Sequence, residues 1–221
     1  MMKDGRDRTI MFHRGILFPK KVCYETPGKH TGSVWSDLSY LQYGTTRQRA
    51  AYDCLQKLGV MTALKEFHST LVSTICIDID VETSDLDVIC QFDDSYTFAE
   101  CLRRTYEHYP HFVMFPFNPE NNSIVARFES DGFLIEVFGQ SLPVWRQNAY
   151  RHLTIMARLL SYGGDNLREA VRELKRSGMK SEAAFASCLG LGGDPYLALF
   201  TLESLCDSEI AEMIAKKFQR Q

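Results

Sequence analysis

The pattern of apolar residues along the chain changes its period near Pro143. Before that point apolar residues form runs of strand length, several of them alternating with polar residues; after it they recur at three- and four-residue spacing, as in helices. The extended segments predicted in this way are 71–82, 86–92, 111–117, 123–128 and 133–139. The pattern therefore predicts an α+β fold, with a mixed β-sheet in residues 37–142 followed by an all-helical subdomain in residues 143–221.

Helices are also predicted within the strand-rich half. The first begins at Thr45 or Thr46 and ends at Gly59, because Ala51 and Leu55 fall on one helical face between them. The sequence Thr97-Phe-Ala-Glu100 matches a capping box and predicts the start of a second helix.

Turn residues and helix signals complete the predicted order of elements. The turn-forming stretches 118–122 and 129–132 predict that the strands on either side of each run antiparallel. In the last part, Trp145 and Leu160 lie on one face of a long helix that ends at Gly163-Gly164. Further helices are predicted over 166–176, 182–188, 195–205 and 208–219.

The charge is unevenly distributed, although the net charge is only −3. Residues 1–35 contain seven lysines and arginines against three acidic residues, whereas the rest of the chain is acidic. We interpret residues 1–36 as a basic N-terminal arm, disordered or only partly ordered. An acidic body binds a phosphate backbone poorly, so we expect no binding of duplex DNA.

Seven cysteines are scattered along the chain without a Cys-x-x-Cys pair. Such a set is typical of reduced, mostly buried thiols and predicts a cytoplasmic protein. No apolar run approaches the length of a membrane span, so no membrane partner is expected.

The strongest candidate for chemistry is Ser84-Asp85-Leu86-Asp87 at the start of a predicted strand. Carboxylates at positions i and i+2 of a strand lie on the same face, roughly 6–7 Å apart at Cα. Two such carboxylates suit Mg²⁺, which is usually held by a few carboxylates together with substrate phosphates.

Glu136 is the second clue, because it lies in a strand whose other residues are apolar on both faces. A lone buried carboxylate is costly unless a cation or hydrogen bonds compensate it. A metal shared with Asp85 and Asp87 would do so; alternatively the strand is an edge strand and Glu136 reaches solvent or pairs with Arg127. We favour the metal.

Two other residues have open interpretations. His152 falls near the apolar face of the long predicted helix, where a boundary histidine satisfied by a hydrogen bond is more common than a site residue. Lys180 follows a predicted interhelical turn and is a candidate for contact with phosphate or an acceptor.

The order of these motifs resembles the nucleotidyltransferase superfamily related to DNA polymerase β. Its hallmark is a Gly-Ser, a following (Ser/Thr)-Asp-x-Asp and a third acid on a later strand, with a helical domain appended. The chain is more closely similar to an uncharacterised bacterial branch of that superfamily, a domain-of-unknown-function group, over about residues 38–200. The matching stretches are Leu71–Thr74, Ser84–Asp87 and Glu136, with support from Gln48–Tyr52, Phe138–Gln140, Ala149–His152 and Gly192–Tyr196.

The resemblance implies a minimal nucleotidyltransferase core and a Mg²⁺- or Mn²⁺-dependent transfer of a nucleoside monophosphate from a nucleoside triphosphate. The acceptor would be a small molecule, a protein or an RNA end. Asp85, Asp87 and Glu136 would be the catalytic, metal-binding acids. Ser73, Thr74 and Ser84 would bind the nucleotide.

The chain departs from the superfamily pattern at Ser73, which stands where glycine lets the backbone approach a phosphate closely. That substitution supports an alternative function, a catalytically inactive protein that binds a nucleotide or a partner on the same fold. A metal-dependent phosphohydrolase that needs no acceptor is a third hypothesis.

Overall fold

We describe a computed structural model of the protein, which covers residues 11–13, 16–18, 35 and 37–218. Two short strands, β1 (Met11–His13) and β2 (Ile16–Phe18), pair antiparallel within the predicted N-terminal arm. Apart from Trp35, the rest of that arm lies outside the described residues.

The predicted α+β fold is confirmed, with a five-stranded mixed sheet in the order β3-β4-β7-β6-β5. Only the central pair, β4 and β7, is parallel; the other neighbours are antiparallel, as the turns between them predicted for β5, β6 and β7. The strands are β3 (Thr70–Leu71), β4 (Leu86–Gln91), β5 (Val113–Met114), β6 (Ser123–Ser130) and β7 (Phe133–Gln140). The helices are α1 (Thr46–Leu58), α2 (Val60–Ala63), α3 (Ser95–Tyr106), α4 (Asn148–Arg176), α5 (Ser181–Leu189), α6 (Pro195–Phe200) and α7 (Asp207–Phe218).

One face of the sheet is closed by apolar side chains. Alternate residues of β4 and β7, among them Val88 and Val137, are fully buried on this face. Phe98 of α3 packs so tightly against Gly139 that a Cβ built there would lie 2.2 Å from its ring. The ring of Tyr106 stacks on that of Phe128 at 4.8 Å between centroids. The opposite face, which carries the polar residues of β4 and β7, faces a cleft.

Helix α1 begins and ends where the sequence predicts. The Thr45 side chain accepts a hydrogen bond from the backbone N–H of Gln48, whose own side chain accepts from the backbone of Thr45. Gly59 ends the helix in the left-handed conformation, with φ 61°. The prediction for α3 is wrong at its start: Asp94, and not Thr97, caps the helix by accepting from two backbone N–H groups.

The prediction that 71–82 is one extended segment is also wrong. Strand β3 ends at Leu71, and Thr74–Ile77 form a 3-10 helix. It is capped by Ser73 at its start and by Asp78, where φ is 55°, at its end. The isoleucines of this segment are buried by the turn and not by one face of a strand. The segment predicted at 111–117 is likewise shorter, and pairs as a strand only at Val113–Met114.

The C-terminal part is helical, as predicted. Helix α4 contains a break at Gly164, where φ is 56° and ψ is −149°, so the predicted helix 166–176 is its second half. Trp145 does not lie on the face of α4, since it belongs to a 3-10 turn before the helix and is exposed. The predicted helix 195–205 is α6 continued by a 3-10 turn. The division of the chain at residue 142 stays a prediction.

The helices of the described residues are not of the membrane-spanning kind. None of the helices formed by residues 37–218 combines the length and the apolar character that crossing a bilayer requires.

Candidate functional site

The three predicted acidic residues are brought together on the open face of the sheet. Asp87 on β4 is the register partner of Glu136 on β7, so the two side chains project side by side from parallel strands. Asp85 directly precedes β4 and lies on the same face as Asp87. Neighbouring strands are about 4.8 Å apart, so Asp87 and Glu136 are direct neighbours on this face of the sheet.

This arrangement holds like charges close together. Burial raises the pKa of Asp87 to about 8, and the carboxylates of Asp85 and Glu136 act in the same direction, while the charge of Lys180 opposes them. Asp85 and Asp87 also hydrogen-bond through their side chains. Asp85 and Asp87 therefore form an anionic site, and a bound cation would relieve the repulsion between their carboxylates.

Glu136 pairs with Arg127, which is one of the two alternatives that the sequence left open. Arg127 Nε donates to Glu136 Oε2 at 2.6 Å across the β6–β7 pair, where the two residues are register partners. The strand itself is not an edge strand, since β7 lies between β4 and β6. In the described part of the chain, no three His, Cys, Asp or Glu side chains already converge as a metal centre.

The donor set nevertheless fits a hard divalent cation held in part by a substrate. Asp85 and Asp87 supply carboxylate oxygens, the ligands that Mg²⁺ prefers, and their mutual repulsion favours a cation between them. A Mg²⁺ site of this kind takes its remaining ligands from water and phosphates. Glu136 could join only by leaving or sharing Arg127.

The three predicted nucleotide-binding residues differ in position. Thr74 and Ser84 line the cleft, and their hydroxyl oxygens are 3.5 Å apart. Ser73 is fully buried, and its hydroxyl donates to the backbone oxygen of Asp85 at 2.6 Å and accepts from Ile75 N–H. With φ −65°, Ser73 has an ordinary backbone conformation that does not require glycine.

The sequence interpretation missed Lys175. Its Nζ donates to the Thr74 hydroxyl at 3.1 Å, and burial lowers its pKa to about 8 although the nearby carboxylates, including Asp80 and Asp85, oppose that shift. The available signal was the spacing of Arg168, Arg172 and Lys175, which places three cations on one face of a helix.

The other two cations of that stripe hold the turn that carries Thr74. Arg168 is buried and donates to the backbone oxygen of Ile77 at 2.8 Å, and both arginines form ion pairs with Asp78. Arg47 holds the part of this loop that follows the turn. Its Nε lies 3.2 Å from Asp80 Oδ2, and its guanidinium donates to the backbone oxygen of Ser84 at 2.8 Å.

The cleft has a volume of about 880 Å³ and lies between the open sheet face and the helical half. One wall is the sheet, with the acids and Arg127; the other is formed by α4, the turn after it and the start of α5. The charged residues that line it are Asp85, Asp87, Arg127, Glu136, Lys175, Lys180 and Glu182. Both anions and cations thus line the cleft, which suits a ligand that carries both metal and phosphate.

His152 is held inside the helical half by a hydrogen bond and a ring contact. It is buried, its Nε2 lies 3.1 Å from the backbone oxygen of Tyr196, and its ring stacks on Phe200. Its other nitrogen faces Glu182, on the cleft wall, at 3.6 Å. His152 therefore contacts the cleft only through Glu182, a residue that the sequence interpretation did not single out.

Among curated proteins, none matches the chain. A solved structure, from the study "Structure and function of the polymerase core of TRAMP, a RNA surveillance complex", is similar with a TM-score of 0.44 and 12% identity over 83% of this chain. The match covers 64% of that protein, and a likeness of this degree carries no argument about function. A family model described as a domain of unknown function, DUF4269, matches residues 53–202, which is more than half of the chain, and the protein therefore belongs to the DUF4269 family.

Proposed function

We propose that this protein is a cytoplasmic, divalent-metal-dependent nucleotidyltransferase, which moves a nucleoside monophosphate from a nucleoside triphosphate to an acceptor hydroxyl. One observation carries the proposal. Asp87 and Glu136 are register partners on parallel strands, Asp85 joins them on the same face, and Lys175 and Lys180 line the opposite wall. Carboxylates for a metal and cations for phosphates thus line one cleft.

Asp85 and Asp87 are the residues that would hold Mg²⁺ or Mn²⁺. When bound, such an ion neutralises phosphate charge and polarises the phosphorus that is attacked. The chain's own contribution is to keep the two carboxylates adjacent before the ligand arrives, so that no reorganisation is needed at the moment of reaction.

The phosphates belong at the polar end of the cleft. Thr74 and Ser84 offer hydroxyls there, and Lys175 already donates to Thr74. Lys180 also lines the cleft and acts electrostatically on Asp87. The ordinary backbone of Ser73 and its side chain, bonded to the backbone of Asp85, are compatible with phosphate binding by its neighbours.

Glu136 is the base in this scheme. Its carboxylate takes the proton of the acceptor hydroxyl as the hydroxyl oxygen bonds to the α-phosphorus, and the bond from the α-phosphorus to the bridging oxygen of pyrophosphate breaks. Arg127 holds the Glu136 carboxylate in position through the hydrogen bond from its Nε to Glu136 Oε2.

The test is an incubation with each labelled nucleoside triphosphate and Mg²⁺. Label is followed on the protein, on added RNA and on small molecules of the cell extract, and pyrophosphate release is measured. We expect turnover in the wild type and a loss of at least about 100-fold in Asp87→Ala, a loss typical of removing one preorganised charged group. Asp93→Ala, which removes an exposed acid beyond the far end of β4, is the matched control. Turnover that survives in a folded Asp87→Ala variant would refute the assignment.

The Arg127–Glu136 pair favours a second candidate, a protein that binds nucleotide without turning it over. Glu136 is engaged at 2.6 Å and would need to share its partner to take part in chemistry. The same incubation separates the candidates: nucleotide bound in an Asp87-dependent way, with no pyrophosphate released, supports the binding protein. Release of orthophosphate or pyrophosphate without label transfer supports the phosphohydrolase.

A further inference from the structure

The cations of the cleft lie on two sides of the acidic cluster. Lys175 and Lys180 are on the helical side, whereas Arg127 is on the sheet side. The register of the strands gives one row across the sheet, in which Asp87 is followed by Glu136, Arg127 and Val113. A ligand that spans the cluster would therefore meet a different cation at each end.

Arg127 retains free hydrogen-bonding capacity. Within the described residues its Nε is bonded to Glu136 and its two terminal nitrogens have no hydrogen-bond partner. By contrast, Arg151 binds Glu203 through two nitrogens, and Arg172 pairs with both Asp78 and Glu169. A guanidinium with both terminal nitrogens open can bind a second carboxylate or a phosphate in bidentate fashion.

An apolar surface adjoins this guanidinium. Arg127 lies 5.2 Å from the ring centroid of Phe115, which is 41% exposed, and its register partner Val113 is 50% exposed. Strand residues two apart share a face, so Val113 and Phe115 continue the cleft face of the sheet to its edge. The open donors therefore lie beside a surface that can pack against a planar or aliphatic group.

In-line transfer assigns the two ends to different substrates. The attacking and leaving oxygens lie on opposite sides of the transferred phosphorus. If pyrophosphate leaves on the side of Lys175 and Lys180, the acceptor approaches from the side of Glu136 and Arg127.

We propose that Arg127 recognises the acceptor, and that the acceptor carries an anionic group, carboxylate or phosphate, on an apolar or planar body. This inference rests on the proposed function only in identifying the bound ligand as the acceptor. The anion site itself is defined by Arg127, Glu136 and Phe115. Arg127 then serves two partners at once, since Nε holds Glu136 while the terminal nitrogens hold the anion. Acceptors that lack an anionic group make no bond to the terminal nitrogens of Arg127 and therefore bind more weakly.

The experiment is a set of binding titrations with three small probes, followed by NMR of the arginine side-chain N–H signals. 4-Hydroxybenzoate carries a carboxylate, phenyl phosphate carries a phosphate, and 4-hydroxybenzamide matches the first in size without its charge. The variants are Arg127→Met, Arg127→Lys and Lys180→Met. The last removes one cation from the opposite wall and so controls for the overall charge of the cleft. Binding of Mg·ATP is measured on the same samples.

We expect an anionic probe to bind the wild type and to shift the Arg127 signal, with about tenfold weaker binding in Arg127→Met. Arg127→Lys should recover part of the loss, and Lys180→Met should weaken probe binding less than Arg127→Met does. Whichever anionic probe binds more tightly identifies the group. The proposal is overturned if the neutral probe binds equally well, or if Lys180→Met and not Arg127→Met abolishes probe binding.

Failure of the proposed function would look different. If the wild type binds no Mg·ATP while the anionic probes still require Arg127, the nucleotidyltransferase proposal fails and the anion site is retained. If Mg·ATP binds and the probes do not, only the inference about the acceptor fails.

Discussion

The two walls of the cleft are built in different ways. On the sheet wall, Asp87, Glu136 and Arg127 occupy consecutive positions of one cross-strand row, and the ladder of backbone hydrogen bonds spaces them. On the helical wall, Lys175 and Lys180 come from the end of α4 and the turn after it. Their position relative to the sheet depends on the contacts that α4 makes.

The difference shows where each wall is vulnerable. Backbone pairing distributes the placement of the acids over many hydrogen bonds, so no single side chain holds them. The second half of α4 holds the Thr74 turn through Arg168, Arg172 and Lys175, and the two arginines share one buried anion, Asp78. Burial raises the pKa of Asp78 and lowers that of Arg168, which shows how much each charge depends on the other for compensation.

The largest expected effect therefore follows from Asp78→Asn. Asparagine tolerates the left-handed backbone at this position, so the change isolates the charge. The change removes the buried counter-charge of Arg168, and we expect the free energy of unfolding to fall by about 3 kcal/mol. Urea unfolding measures the total, and hydrogen exchange should show greater loss of protection in the second half of α4 than in β7.

Asp165→Asn is the matched control, because Asp165 also lies near Arg168, at 3.8 Å, but is exposed. We expect it to change stability by less than about 0.5 kcal/mol. Equal effects of the two variants would mean that Asp78 does not anchor the helical wall.

The next largest effect is expected on the closed face of the sheet, opposite the cleft. In Gly139→Ala the new methyl group meets the Phe98 ring on the closed face, and overpacking of this kind costs about 1–3 kcal/mol. Thermal unfolding gives the size of the loss. Gly192→Ala, where a Cβ meets nothing within 4 Å, should be neutral or slightly stabilising. A Gly139→Ala variant as stable as the wild type would contradict the tight packing of α3 on β7.

The smallest effect has the opposite sign. Asp87→Asn replaces a half-buried carboxyl whose ionisation burial and two other carboxylates oppose, and should raise the metal-free free energy of unfolding by about 1 kcal/mol at pH 7. Because the folded-state pKa of Asp87 is raised, its contribution to stability is present at low pH and is lost as the pH rises towards about 8. The gain in the variant should therefore shrink as the pH falls to about 4. Unfolding in EDTA at the two pH values measures it, and a variant less stable than the wild type at pH 7 would argue against repulsion at the site.

Local patterns predicted the parts of the fold that depend on local physics. Strands β4, β6 and β7 and helix α1 lie close to their predicted bounds because alternation, turn residues and caps are read from neighbours in sequence. The segment 71–82 alternates equally well, yet it folds as a turn because Gln48 and Arg168 bond its backbone oxygens from distant helices. Alternation alone does not reveal such partners.

The residues of the candidate site could likewise be predicted only where local sequence patterns determine their position. Asp85, Asp87 and Glu136 could be grouped from strand periodicity and the resemblance, although only the register shows that Asp87 and Glu136 are direct neighbours. The Arg127 pair was one of two alternatives, and choosing between them required the fold. Lys175 and Glu182 were missed, because a charged residue on a helix gives no indication of the loop or cleft that it will face.

The parallel pairing of β4 with β7 also determines when the site comes into being. Helix α3 and strands β5 and β6 lie between these neighbours in the chain, so their pairing is a non-local contact of the kind that forms slowly. During synthesis Asp87 emerges well before Glu136 and Lys175. A nascent or partly unfolded chain thus presents its acids separately and fully hydrated, and the appearance of metal or nucleotide binding during refolding would report closure of the central strand pair.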